Sequence, residues 1–181
     1  SGSKITLQKI KKKIKIDKMK KSIKSAISKG MSVKLNLMLG FPNETHRDMI
    51  RTLIFIKDAA VMGASDVYVA CFSPYPGSEL FDQLRENGQI ANLDDEYFNN
   101  LAIYGNLVRS YSYSQHVGHR MLTFYRLSGM SLFYIINFIL HPKRIFSLFV
   151  NVINKKENSK LDKALIEMID RFKGSKKTSS S

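Results

Sequence analysis

Few side chains in this sequence can take part in bond-making chemistry, and their surroundings narrow what each can do. The chain of 181 residues has one cysteine, Cys71, so neither a disulfide framework nor a cysteine-rich metal site can be assembled within it. Cys71 sits in an apolar run, where a thiol reads as a small buried hydrophobe rather than a nucleophile. His116 and His119 can share a helix face, but no carboxylate or thiol lies near them to complete a metal site. Glu44, Asp48 and Glu79 each stand at the start of a helical pattern. There a carboxylate is favoured by the partial positive charge of the helix N-terminus, a simpler role than that of a catalytic acid pair. Lys12 can give a desolvated carboxylate a charge-assisted hydrogen bond, and it is equally one of several neighbouring lysines on a solvated face. The sequence therefore offers no catalytic residue and no metal ligand set of its own, only candidate binding residues.

The elements that position these residues can be read from periodicity and punctuation. Asp17 is placed to cap a helix over Lys18 to Lys29, with Met19, Ile23 and Ile27 at spacings of four and Gly30 beyond its end. Val33 to Leu39 reads as a strand whose end, Met38 and Leu39, is apolar on both faces, as in a buried parallel strand. Gly40-Phe41-Pro42 ends it. Asn43 or Thr45 then caps a helix reaching about Met62, with Met49, Leu53, Ile56 and Ala60 inward. Asp66 to Phe72 is a second strand. Two strands joined by a long helix make a βαβ unit, so the strands should run parallel in one sheet with a right-handed crossover. Pro74 and Pro76 force a loop, and Ser78 caps a short helix over Glu79 to Asn87. Another helix begins in Asp94 to Asn99. Residues 106–114 read as an irregular Ser/Tyr-rich connection. From Gln115 the chain is helical and apolar, broken at His141-Pro142, and a last helix over Ser159 to Phe172 turns Leu161, Leu165, Met168, Ile169 and Phe172 inward. The tail from Gly174 is expected to be disordered. This gives an α/β part over 1–92, a helical extension over 93–173 and a tail over 174–181.

Charge is distributed unevenly. The net charge is +14, and residues 1–34, with twelve lysines and one aspartate, carry +11 of it. Such a segment attracts nucleic acid, anionic lipid or an anionic cofactor, or is a solvated helix face. A single thiol fits a reducing, cytoplasmic setting. Ser1 opens straight into a lysine-rich stretch with neither an initiator methionine nor a signal peptide, the expected start of a chain processed or cut from something longer.

Three segments carry a resemblance. Ser1-Gly2-Ser3, with Leu7 and Lys12 following, resembles the "Glu-Ser-Gly-Ser" strand end of radical S-adenosylmethionine enzymes, whose Glu would fall one residue before this chain. Leu37-Met38-Leu39-Gly40-Phe41-Pro42-Asn43-Glu44-Thr45 resembles the strand end that packs against the adenine in that family. Asn43 stands where the family usually has glycine, and asparagine tolerates a left-handed backbone. Ser73-Pro74-Tyr75-Pro76-Gly77-Ser78-Glu79-Leu80 resembles the loop after the final barrel strand, on the substrate side. Phe133-Tyr134 and His141-Pro142-Lys143-Arg144 resemble the helical tails of the class that often carries a cobalamin (B12)-binding domain.

The resemblance implies an α/β fold, the last part of a partial (β/α)6 TIM-like barrel followed by a helical extension. It implies a parent enzyme that cleaves S-adenosylmethionine at a [4Fe-4S] cluster to make a 5′-deoxyadenosyl radical, with the cluster ligands outside this chain and cobalamin a further candidate cofactor. The chain alone is then expected to be inactive. The cofactor-side residues implied are Ser1, Ser3, Lys12, Leu39, Gly40 and Phe41. Lys12 would pair with the cofactor carboxylate, Leu39 would offer an apolar surface to the purine, and Gly40 would let the backbone approach. Pro74, Tyr75 and Pro76 form the substrate-side loop. The substrate expected is an unidentified small or lipid-like molecule.

Two other readings stay open. A tRNA-modifying, methylthiotransferase-like radical enzyme shares the strand motifs but would normally follow them with an RNA-binding β-barrel, which the helical tail argues against. A non-catalytic basic module binding anionic lipid or nucleic acid accounts for the lysines. Residues 127–153 also read as helices resting on an anionic membrane surface, peripheral on the inner membrane face, or packed back on the barrel as core. Met130 to Leu140 has only eleven residues, against about twenty for a span.

Overall fold

The computed structural model describes residues 1–102 and 110–178 as a mixed α/β structure, mostly helical, around a two-stranded parallel sheet. Strand β1 (Lys34–Leu39) and strand β2 (Asp66–Cys71) pair in register from Lys34 with Asp66 to Leu39 with Cys71. Both strands and their parallel pairing are as the βαβ pattern predicts. The sheet has one covered and one open face. Leu35, Leu37 and Leu39 point into the core, whereas Lys34, Asn36 and Met38 are exposed. The expectation that β1 ends apolar and buried on both faces is therefore corrected at Met38.

Before β1 lie two helices. Helix α1 (Lys4–Lys9) has no counterpart in the sequence reading; a cap from Ser3 Oγ to the Thr6 amide and the burial of Leu7 hold its six residues. Helix α2 (Ile16–Ser28) starts one residue before Asp17, which lies in the first turn and makes no cap. Its Ile23 is buried, with Met19 and Ile27 packed beside it. The crossover between the strands is α3 (His46–Met62), begun by a reciprocal capping box of Thr45 and Asp48 and buried along Met49, Ile56 and Ala60.

Beyond β2 come α4 (Glu79–Glu86), capped by Ser78, and α5 (Asp95–Ala102), whose Tyr97 amide is taken by Asp94. Of the connection expected over 106–114, residues 110–114 are irregular, and 103–109 lie outside the described residues. Helix α6 (His119–Leu140) returns across the sheet. Its Leu122, Phe133 and Gly129 lie against α3 and β2, and the buried Arg126 donates from Nε to the Val69 carbonyl at 2.6 Å. After the break at His141 and Pro142 come α7 (Lys143–Ile153), with no buried residue, and α8 (Lys160–Thr178).

Helix α8 continues past Gly174, and residues 179–181 lie outside the described residues. Its inward face differs from expectation. Ile166 is buried, Met168 and Ile169 are exposed, and the Phe172 side chain is outside the described residues.

Two clusters make the interior. The main one gathers β1, β2, α3, α6 and part of α2. The second joins Phe41 and Phe72 at the strand ends to Phe81 of α4, Tyr97 and Leu101 of α5, and Tyr113. This cluster spans the 92/93 division read from the sequence, and α6 belongs to the main core.

Candidate functional site

Parallel strands leave their carboxyl ends at one edge of a sheet, and ligands of α/β folds gather there because the crossover helices cover the faces. Here the carboxyl ends of β1 and β2 open into a groove of about 560 Å³. Met38 and Phe41 from the end of β1, Cys71 and Phe72 from the end of β2, and Tyr75 and Leu80 beyond it line the groove. Lys9, Lys11 and Lys12 stand along its rim. The lining is mainly apolar with cations at one edge, a donor set suited to a molecule with an apolar body and an anionic group.

Of the turn Gly40-Phe41-Pro42, Phe41 lines the groove. Gly40 has φ +89°, a left-handed backbone that disfavours any side chain. Its missing Cβ would meet Leu122 Cδ2 of α6 at 2.9 Å, so the room is used by a packed helix rather than facing a ligand. Asn43 does not adopt a positive φ; the left-handed residue of this turn is Gly40, and asparagine needs no special tolerance at 43. The amides of Gly40 and Phe41 both donate to Glu44 Oε2, at 2.8 and 3.2 Å. Burial raises the Glu44 pKa, and these bonds with that from Ser1 Oγ oppose the rise. Glu44 is a brace for the turn.

Ser1-Gly2-Ser3 is laid across the first turns of α3. Ser1 Oγ donates to Glu44 Oε1 at 3.0 Å, the Gly2 amide to Thr52 Oγ1 at 2.9 Å, and Ser3 Oγ to Asp48 Oδ1 at 2.6 Å. A Cβ on Gly2 would lie 2.6 Å from Phe55 Cβ and 2.8 Å from the Thr52 Cα, which explains the glycine between the serines. Asp48 also accepts from Thr45 and Arg51. Burial alone would raise its pKa, but these hydrogen bonds outweigh it and hold the carboxyl at about 2.

The loop after β2 is held from beneath. The Tyr97 hydroxyl donates to the Pro74 carbonyl, and burial raises the phenol pKa, keeping it a neutral donor. Pro74 is buried, while Tyr75 and Pro76 are exposed. Lys11, at φ +56° two residues after α1, places its Nζ 2.6 Å from both Glu79 oxygens, tying the segment after α1 to α4. Lys9 and Lys12 make no ion pair among the described residues.

Of the residues singled out from sequence, Lys12, Phe41 and Tyr75 line one groove. Ser1, Ser3 and Gly40 do not line it; they are bonded to Glu44 and Asp48 and hold the turn after β1 and the start of α3. Leu39 is fully buried in the main core and presents no surface to the groove; the apolar surface there comes from Met38 and Phe41. Sequence reasoning passed over Met38, whose place on the open face follows from the alternation of β1, and Phe72, whose ring packs 4.9 Å from Phe41. A further hollow of about 680 Å³ runs along the open sheet face past Asn36, Met38 and Tyr68. His119 Nδ1 accepts from the Ser112 amide at 2.9 Å at the start of α6, and His116 is exposed. Among the described residues no three His, Cys, Asp or Glu groups are placed to hold a metal ion. Cys71 is buried and free. No protein-family model matches the chain, and no curated protein matches it.

Proposed function

We propose that the chain is the last part of the catalytic barrel of a radical S-adenosylmethionine enzyme, of the class associated with cobalamin, acting on a small or lipid-like substrate. The observation that carries this reading is the convergence of its three motif segments, up to some seventy residues apart, on the carboxyl ends of two parallel strands. The exposed side of β1 at Lys34, Asn36 and Met38, in a sheet of two strands among the described residues, suits a barrel completed by further strands.

In this reading Lys12 holds the carboxylate of the cofactor through a charge-assisted hydrogen bond. Met38 and Phe41, rather than Leu39, offer the apolar surface to the purine. Glu44, Ser1 and Ser3 hold the turn that presents Phe41, and the loop at Pro74, Tyr75 and Pro76 covers the substrate side. When bound at a [4Fe-4S] cluster whose ligands lie outside this chain, S-adenosylmethionine supplies hydrogen abstraction through a 5′-deoxyadenosyl radical; the residues here bind, orient and exclude water.

The test is direct binding of S-adenosylmethionine to the full-length protein, with 5′-deoxyadenosine release under reducing conditions as the second readout. Lys12→Ala should weaken binding by roughly ten- to a hundredfold, the value of one hydrogen bond to a charged group. Tyr75→Ala should leave that affinity near wild type and lower turnover. A full-length protein that ignores S-adenosylmethionine, or a Lys12→Ala variant that binds it unchanged, would refute the assignment. The lysine-rich, exposed side of α2 favours a second reading as a basic module, which predicts instead a salt-sensitive affinity for bare RNA or anionic lipid.

A further inference from the structure

Helix α7 is held to the protein by Arg144 and Asn151, with Leu148 and Val152 half-buried beside them, and turns its largest apolar side chains outward. The Arg144 guanidinium fixes the inner side. Nη1 donates to the Ala64 carbonyl at 2.7 Å and to Asn137 Oδ1 at 2.5 Å, and Nη2 donates to the Gly63 carbonyl at 2.8 Å. One turn pair further on, Asn151 Nδ2 donates to Asp162 Oδ2 of α8 at 3.1 Å. The orientation of α7 is thus set by directional bonds at both ends of the helix.

The opposite side is an apolar stripe at helical spacing. Phe146, Phe149 and Ile153 are 74%, 62% and 78% exposed, and Val150 lies between them. Near the end of α6, Ile135 and Ile139, one turn apart, are also exposed, Ile139 at 73%. Single exposed apolar residues are ordinary on a protein surface, whereas a contiguous stripe of large ones marks a contact with something apolar.

Charge identifies the contact. From Tyr97 to Lys156 the sequence contains no aspartate or glutamate over sixty residues, against seven lysines and arginines. Arg126 and Arg144 are used inside the protein, and Lys155 is held by Asp170 at 3.0 Å. Lys143 at the start of α7 and Lys156, three residues beyond its end, are exposed and make no ion pair among the described residues. An acid-free apolar stripe flanked by free cations is the pattern of a helix lying in a headgroup layer, its side chains at the acyl boundary and its lysines at the phosphates.

Spanning does not fit. The eleven residues of α7 reach about 16 Å, roughly half the hydrocarbon thickness. Among the described residues α6 alone is long and apolar enough to cross, but one side of it packs on α3 and β2 and buries a charged Arg126 there.

We propose that α7, together with the last turns of α6, lies in the surface of an anionic lipid bilayer and does not cross it. The test is flotation of the full-length protein with vesicles of phosphatidylcholine and phosphatidylglycerol, compared with phosphatidylcholine alone. The protein should float with the anionic vesicles, bind less as salt rises, and leave cell membranes in alkaline carbonate. The triple variant Phe146→Ser, Phe149→Ser, Ile153→Ser should lose about tenfold or more in partition coefficient, with circular dichroism and thermal unfolding unchanged because none of the three is buried. Should that variant misfold, Lys143→Glu with Lys156→Glu carries the test. This pair should lose about tenfold on anionic vesicles and nothing on neutral ones. Four results would overturn the proposal: flotation with neither vesicle, full binding by a folded triple variant, resistance to carbonate, or a triple variant that turns a dimer into a monomer while vesicle binding is absent throughout.

Discussion

Asp48 shows how a carboxylate that resembles chemistry can be structural. Its four acceptor contacts, from Ser3, Arg51 and both the amide and hydroxyl of Thr45, leave no lone pair aimed at the groove. The ordinary aspartate value is 3.8 and the folded value is about 2, so the folded state favours the charged form. The stabilisation is therefore complete above about pH 4 and is lost as pH falls through about 2. Glu44, raised by burial, acts in the opposite sense, so the difference between variant and wild type is the clean measure. Asp48→Asn should lower stability by about 1–2 kcal/mol near neutral pH. That gap should narrow toward zero as urea unfolding is repeated down to about pH 2; a gap independent of pH would show that the charge is not what matters. The role of Asp48 as a helix N-terminal residue was legible from its place three residues after Thr45. Its bond to Ser3 was not, because nothing local relates residues forty-five positions apart.

Among the elements, α3 and α6 make the main helix pairing of the core. The close approach runs through Gly129, where a Cβ would come within 2.9 Å of Leu53 Cδ2 and 3.0 Å of Ile56 Cδ1. Both are ends of flexible side chains. Gly129→Ala should therefore stay within about 1 kcal/mol of wild type, since the helix propensity gained offsets the crowding. Gly129→Leu should lose about 1–3 kcal/mol in chemical denaturation, because a full side chain cannot be absorbed without separating the helices. Equal stability of both variants would mean that α6 does not rest on α3 as described. The helices themselves were readable from caps and periodicity. Where periodicity is weak, as in α1, or where two apolar arcs compete, as in α8, the inward side is chosen by neighbours that no local window contains.

For the molecule as a whole, charge and cysteine count restrict what the chain can bind. Iron–sulfur clusters take several thiolates, and the single thiol here is buried at the end of β2. Anaerobic treatment of the 181-residue chain with iron and sulfide should leave it colourless. A stable charge-transfer band at one cluster per chain would contradict both the thiol count and the reading of the chain as part of a larger catalytic unit. The net charge of +14 lies mostly in the first thirty-four residues, on α1, α2 and their flanks. Only its leading part, at Lys9, Lys11 and Lys12, reaches the groove.

Local patterns in the sequence were sufficient for the βαβ unit, the parallel pairing, the helix cap at Ser78 and the burial of Cys71, and narrowed the cap of α3 to Asn43 or Thr45, of which the structure uses Thr45. Each of these depends on alternation, on a capping side chain or on backbone restrictions within a few residues. Tertiary structure decided which motif residues face the groove. Leu39 and Met38 are adjacent, and both are apolar, yet the pleat sends one into the core and the other to the open face. Gly40 serves the approach of Leu122, some eighty residues later in the chain. The outward stripe of α7 rests on Arg144 reaching the carbonyls of Gly63 and Ala64. Amphipathic spacing defines two faces of a helix, and only the contacts made by the folded chain determine which one meets the protein.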